Sequence, residues 1–297
     1  MELVVIGSGS AVPDPLRGNP SVAVVVGDET LLFDCGERAT VNLVRAGINP
    51  LEIDQVFFTH LHWDHIADFN YFMMTVWNCG KSDLQVFGPS GTQEMVDGFM
   101  AAHHFDHRFV EEFSKIIPNA SLDSQFEVAV KGLEPGVVVE TATYRVTTAE
   151  VQHLRTLGFE RSDWAFRIDS EDGSVAYSGD TAPCDEMIEL AREVDVLVHE
   201  AAFLDEIIDD RSMEGHSGPR GAGRVAQAAG AKKLVLTHLG PYDSYDKAIE
   251  MADLYYGSRR GPEIWSKILQ DASSEFDGPI IISQDAMRIR VEASVGR

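Results

Sequence analysis

Thr59-His60-Leu61-His62-Trp63-Asp64-His65 decides how this chain is read. Three histidines and an aspartate follow directly on the apolar run Gln55-Val56-Phe57-Phe58, which reads as a buried strand. Strand side chains alternate between faces, so His60 and His62 leave the strand end in the same direction. Asp64 and His65 fall at the start of the next element, where an aspartate suits the free N–H groups of a helix N-terminus. Four donor side chains therefore gather around one point. Imidazole nitrogen and carboxylate oxygen at this spacing are donors for zinc and similar ions. A loop whose histidines only hydrogen-bond would not need so many at such regular intervals.

Outward from this stretch, strands and helices alternate. Residues 2–7, 21–26 and 30–35 read as strands, and a short helix near 37–46 stops at Gly47. After the histidines a helix is expected over 66–77, a strand over 84–87 and a helix over 91–104. Residues 126–178 are strand-rich: a strand at 143–151, then a hairpin of 164–168 and 174–178 turned by Glu171-Asp172-Gly173. A helix near 184–193, a strand at 194–199, a small-residue helix at 217–230 and a strand at 234–238 follow. Helical stretches at 244–256 and 264–275 and strands near 279–283 and 287–292 complete the chain. This pattern predicts α/β layers around one core, as a single domain over residues 1–297. His103, His104 and His107 have some metal-ligand spacing, but they read as surface or substrate-facing residues at a helix end.

Composition narrows the function classes. No apolar run approaches the ~20 residues that span a bilayer, so no membrane association is expected. Met1-Glu2-Leu3-Val4-Val5-Ile6-Gly7 reads as a first strand, not a signal peptide. Cys35, Cys79 and Cys184 form neither a disulfide framework nor a Cys-x-x-Cys pair, so a cytoplasmic location is expected. The formal net charge is −24, from 48 acidic and 24 basic side chains. Only short basic pairs occur, such as Lys232-Lys233 and Arg259-Arg260, which counts against a nucleic-acid partner.

His60-x-His62-x-Asp64-His65 resembles the signature of the metallo-β-lactamase superfamily. Gly7-Ser8-Gly9-Ser10-Ala11-Val12-Pro13, Leu32-Phe33-Asp34-Cys35-Gly36-Glu37, Ser178-Gly179-Asp180-Thr181 and His199-Glu200-Ala201 are similar to its ribonuclease Z and arylsulfatase-like branch. The resemblance implies a four-layer αββα sandwich with two divalent metal ions, zinc foremost and manganese or iron as alternatives. It assigns His60, His62 and His153 to the first ion, Asp64, His65 and His238 to the second, and Asp180 as the bridge. It gives catalytic roles to Asp64, to His216 acting on the leaving group, and to Glu200 beside His216. Asp34 would orient a metal-ligating histidine.

Two departures shape the functional expectation. Trp63 stands where ribonuclease Z has glycine, and His153 and Asp180 are too close in sequence to enclose that family's long tRNA-gripping arm. With the acidic charge, these predict a hydrolase that uses a metal-bridging hydroxide to cleave a small-molecule substrate, anionic or strongly polarised: a phosphoester, sulfate ester, carboxylic ester or lactone. A tRNA 3′-processing endonuclease is the alternative, and a non-catalytic or redox metal protein the second. A homodimer is expected, with the aromatic-bearing segments 98–118 and 241–262 as lid or interface.

Overall fold

The structure, a computed structural model, describes residues 1–116, 126–153, 163–211, 213–242 and 261–293. Two seven-stranded sheets carry the fold. The first comprises β1 (Glu2–Gly7), β2 (Ser21–Val26), β3 (Glu29–Phe33), β4 (Ile53–Phe57), β5 (Asp83–Gly88), β6 (Glu127–Gly132) and, on the far side of β1, β14 (Met287–Arg290). The second runs in the order β13 (Ile280–Ile282), β12 (Leu234–Thr237), β11 (Val196–Glu200), β10 (Gly173–Tyr177), β9 (Asp163–Ser170), β8 (Tyr144–Val151) and β7 (Gly136–Glu140).

Strand alternation divides the apolar side chains among three layers of core. In β1, Leu3 and Val5 point between the sheets, while Val4 and Ile6 point outward. The inter-sheet layer holds Phe33, Phe57 and Phe87 from the first sheet against Phe166, Tyr177 and Val198 from the second. Phe57 stacks on Phe87 at 4.6 Å and on Phe33 at 4.9 Å, with Phe166 edge-on to Phe57. Outside the first sheet pack α1 (Ala39–Arg45), α3 (Phe69–Asn78) and α4 (Thr92–Ala102), through Leu43, Phe72 and Val96. Outside the second pack α6 (Asp185–Leu190), α8 (Pro219–Ala229) and α9 (Glu263–Ser273), through Met187, Val225 and Ile268. The layers are therefore α, β, β and α.

Strand direction places the functional residues. β3 and β4 are parallel. β10, β11 and β12 are parallel, and β8 shares their direction because both β8 and β10 run antiparallel to β9. Asp34, His60, His153, Asp180 and His238 all lie just past the C-terminal ends of such strands, and Glu200 is the last residue of β11.

The observed elements refine several expectations. The helix expected over 66–77 is two, α2 (Trp63–Ile66) and α3, and Asp64 and His65 lie in the one-turn α2, at the start of the element as expected. A further helix, α5 (His104–Ile116), follows α4 within the segment 98–118 expected as lid or interface. It carries Phe105 and Phe109 exposed to solvent. β6 and β7 occupy the strand-rich region without having been resolved as separate strands in the sequence. The helix expected at 244–256, with Tyr245, Tyr255 and Tyr256, lies outside the described residues, as does the side chain of His107. Among the described residues, no helix is long and apolar enough to cross a membrane.

Candidate metal centre

The fold brings every sequence-predicted donor together. His60, His62, His153 and Asp180 place donor atoms within 4.8 Å of one another, and so do Asp64, His65 and His238. Asp180 links the two groups. Its Oδ2 is 3.9 Å from His60 Nε2, while its Oδ1 is 3.4 Å from His65 Nε2 and 3.2 Å from His238 Nε2. Asp64 Oδ2 lies 3.4 Å from His238 Nε2 and 3.7 Å from His65 Nε2. Gly179 lets Asp180 come this close: its φ is +57°, and a Cβ there would lie 2.8 Å from the Thr59 side chain.

Three observations test whether these residues fit metal ions. The first is orphaned polarity. His60 Nε2, His65 Nε2, His238 Nε2 and Asp180 Oδ1 are buried and make no hydrogen bond of ordinary geometry, a condition that is costly unless another group satisfies them. The second is spacing. His153 Nε2 stands 3.3 Å from His62 Nδ1, and two nitrogens each ~2.0–2.1 Å from one tetrahedral ion would stand about 3.3–3.4 Å apart. The third is charge. Burial and then the neighbouring imidazole of His65 hold His60 neutral, and burial and then His153 push His62 down to about 4. Burial opposes protonation of His65 and His238 too, but there the carboxylates win. Asp180, Asp34 and Asp64 hold His65 well above the usual range, and Asp180 and Asp64 raise His238 to about 10. Protons on these two rings occupy the place of cationic charge that the carboxylates call for. The donor set fits two divalent ions.

The histidines are oriented from behind. His65 Nδ1 donates to Asp34 Oδ2 at 2.8 Å, so Asp34 does orient a donor histidine as the sequence suggested. Tyr177 Oη, from the other sheet, donates to the same oxygen at 2.9 Å, and the Thr59 N–H donates to Asp34 Oδ1 at 2.9 Å. Thr59 Oγ1 is also 3.0 Å from His60 Nδ1. His153 Nδ1 donates to the Gly215 carbonyl at 2.8 Å.

His238 is held differently. Its φ is +57°, strained for a side-chain-bearing residue. The next residue is pinned: Leu239 N–H donates to Ser8 O at 2.9 Å, and Ser10 N–H to Leu239 O at 3.1 Å. The loop that pins it is anchored by Asp285. One carboxylate oxygen accepts from Ser8 N and Ser8 Oγ at 3.0 and 2.8 Å, and the other from Gly18 N and Asn42 Nδ2 at 2.7 and 2.9 Å. Sequence reasoning missed Thr59, Tyr177 and Asp285. Only Thr59, adjacent to the first donor, carried a local signal.

A third cluster joins the centre: Asp180, Glu200 and His216. His216 Nδ1 is 3.1 Å from Glu200 Oε1 and 3.8 Å from Asp180 Oδ2. Glu200 is fully buried and accepts from the Thr181 N–H at 2.7 Å, which fixes the carboxylate. Burial would lower the His216 pKa, but Glu200 outweighs it and raises the value above the ordinary range. With Nδ1 bound to Glu200, His216 Nε2 makes no hydrogen bond among the described residues and is available to a substrate. Trp63 is 56% exposed, so it does not pack into the core. His103 pairs with Asp106 at 3.1 Å and joins none of the donor groups.

An αββα sandwich with these donors at one edge defines a class of metal-dependent hydrolase. Residues 29–239 match the family model of the β-lactamase superfamily domain. The chain is 30% identical over 307 aligned positions to Ribonuclease Z of Mycobacterium bovis, covering 98% of each chain. It is 30% identical to Ribonuclease Z of Methanothermobacter thermautotrophicus, over 80% of this chain and 86% of that one. Among solved structures, human tRNase Z, short form, superposes with a TM-score of 0.70 at 21% identity, covering 98% of this chain and 99% of that one. The fold protein YhfI from Bacillus subtilis gives a TM-score of 0.69 at 21% identity over 97% and 98%. The chain belongs to the metallo-β-lactamase superfamily, in its ribonuclease Z-like branch.

These relatives overturn the expectation that counted against a nucleic-acid partner. Two physical reasons explain the error. Net charge sums over the whole surface, whereas recognition of a phosphate depends on the local field, which bound cations reverse. The missing arm does not separate this chain from the M. bovis protein either: 307 alignment positions against 297 residues leave no room for a long insertion there.

Proposed function

We propose that this chain is a ribonuclease Z-type phosphodiesterase that cleaves RNA, with tRNA precursors as the substrate class. The observation that carries the reading is similarity to a protein of that name across 98% of both chains. The site chemistry supports it. We assign His60, His62, His153 and Asp180 to one ion, and Asp64, His65, His238 and Asp180 to the other. Zinc is the proposed metal, because five imidazoles and two carboxylates are good zinc donors. When bound, the ions would polarise the phosphodiester and lower the pKa of water towards neutrality.

The chain's own groups do the rest. Asp64 and Asp180 balance the charge of the ions. Glu200 holds the His216 ring by Nδ1 and favours its protonated form. Nε2 of His216 then faces the substrate and donates a proton to the oxygen that departs as the P–O bond breaks.

The test is a cleavage assay on a tRNA precursor beside an aryl phosphodiester, an aryl sulfate and a lactone, with zinc- and manganese-loaded protein. Specific cutting near the tRNA 3′ end, at a higher kcat/KM than on any small ester, is expected. Hydrolysis of a small ester with the precursor left intact would restore the small-substrate reading.

A further inference from the structure

His216, 3.8 Å from Asp180 through Nδ1, also lines a cavity of about 180 Å³ together with Pro183, Asp205, Gly218, Arg220 and Arg224. That is room for several waters or for a phosphate group. Arg220 and Arg224 are one turn apart on α8, so their side chains leave the same side of the helix. They differ in what they already hold. Arg220 Nη2 donates to the buried Asp271 at 2.8 Å. Arg224 is exposed and makes no hydrogen bond or ion pair among the described residues. The carboxylate that shares the cavity, Asp205, accepts from the Arg220 N–H through Oδ2 at 3.3 Å and feels the charge of Arg224 at longer range.

An exposed guanidinium without a fixed hydrogen bond, lining the same cavity as His216 in a chain of net charge −24, suits a phosphate. Its planar fork matches phosphate oxygens in a bidentate pair. A substrate strand offers a further phosphate beside each scissile one. We propose that this cavity binds the backbone phosphate next to the scissile phosphate, with Arg224 as the principal contact and Arg220 as the secondary one. The proposal rests on the RNA reading above and names where the strand leaves the metal centre. It also supplies local compensation for the acidic surface that the strand would otherwise meet.

The experiment compares metal-loaded wild type, Arg224→Ala and Arg224→Lys on a tRNA precursor and on bis(p-nitrophenyl) phosphate, across a salt series. Loss of one charge-assisted contact predicts a rise in KM of about tenfold on the precursor for Arg224→Ala. The change on the small diester should be about tenfold smaller. The slope of log affinity against log salt should fall by about one. Arg224→Lys should restore the salt slope but only part of the affinity, since an ammonium lacks the fork. If wild type cuts the precursor and Arg224→Ala keeps both KM and slope, or shifts both substrates equally, the subsite is overturned alone. If wild type hydrolyses the diester and never the precursor, the RNA reading falls and the assignment of the cavity to RNA falls with it.

Discussion

The two donor groups meet at Asp180, yet they follow opposite electrostatic rules. Around His60 and His62 the main influences are burial and the nearness of other imidazoles, which keep both neutral with lone pairs free. Around Asp64, His65 and His238 the carboxylates dominate and call for positive charge. Their supports differ as well. His153 leans on a backbone carbonyl and His60 on Thr59, whereas His65 is locked by a carboxylate that Tyr177 also holds, and His238 by a strained backbone anchored through Asp285. The second group is thus built with more long-range support than the first. Concentrated carboxylate charge needs rigid placement, because uncompensated buried charge is costly wherever it shifts.

The largest expected effect comes from the shared residue. Asp180→Ala should lower turnover at least about a thousandfold, the scale of losing several kcal/mol of charge stabilisation. Elemental analysis after purification without chelator should fall from close to two metal equivalents to below one. Two retained equivalents would erase the shared bridge and with it the pairing of the groups.

Next comes His216→Ala, which touches both groups without being assigned to either ion. Turnover should fall about a hundredfold, at the lower end of general-acid contributions, with metal content unchanged. The loss should be larger on an alkyl phosphodiester than on a nitrophenyl one, whose leaving oxygen needs the proton least. Equal losses on both would make His216 a positioning residue only.

The comparison sharpens with residues that act through others. Asp34→Ala removes the acceptor of His65 Nδ1, and loss of such an outer partner costs about ten- to a hundredfold in metal affinity. Calorimetric titration should show one ion weakened far more than the other. A uniform weakening would indicate that Thr59, which links Asp34 to His60, ties the groups into one unit. The smallest effect is expected for Asp285→Ala, about tenfold in affinity at one ion by the same outer-partner reasoning. Native mass spectrometry should then show a one-ion species at metal concentrations that fill both sites in the wild type. Two-ion occupancy identical to wild type would mean that the strain at His238 is held by its own strand.

What the sequence determined by itself was local. His60, His62, Asp64 and His65 are contiguous, and a strand running into a turn places them by alternation alone. His153, Asp180 and His238 were legible only through likeness to the family's motifs, each falling at an expected strand end. Glu200 and His216 were found through motif likeness and then met in space at 3.1 Å. Tertiary structure alone decided the rest. Tyr177 reaches Asp34 across 143 residues, and Asp285 reaches Ser8 across 277, only because two sheets pack face to face and β14 pairs with β1. Register and sheet packing are collective outcomes of burying many apolar side chains, and no single position records them. The same holds for charge. The count of 48 acidic side chains is a property of the sequence. The free guanidinium of Arg224, one helix turn from Arg220 and across a cavity from His216, is a property of the fold, because the field at a site depends on which few charges are near it.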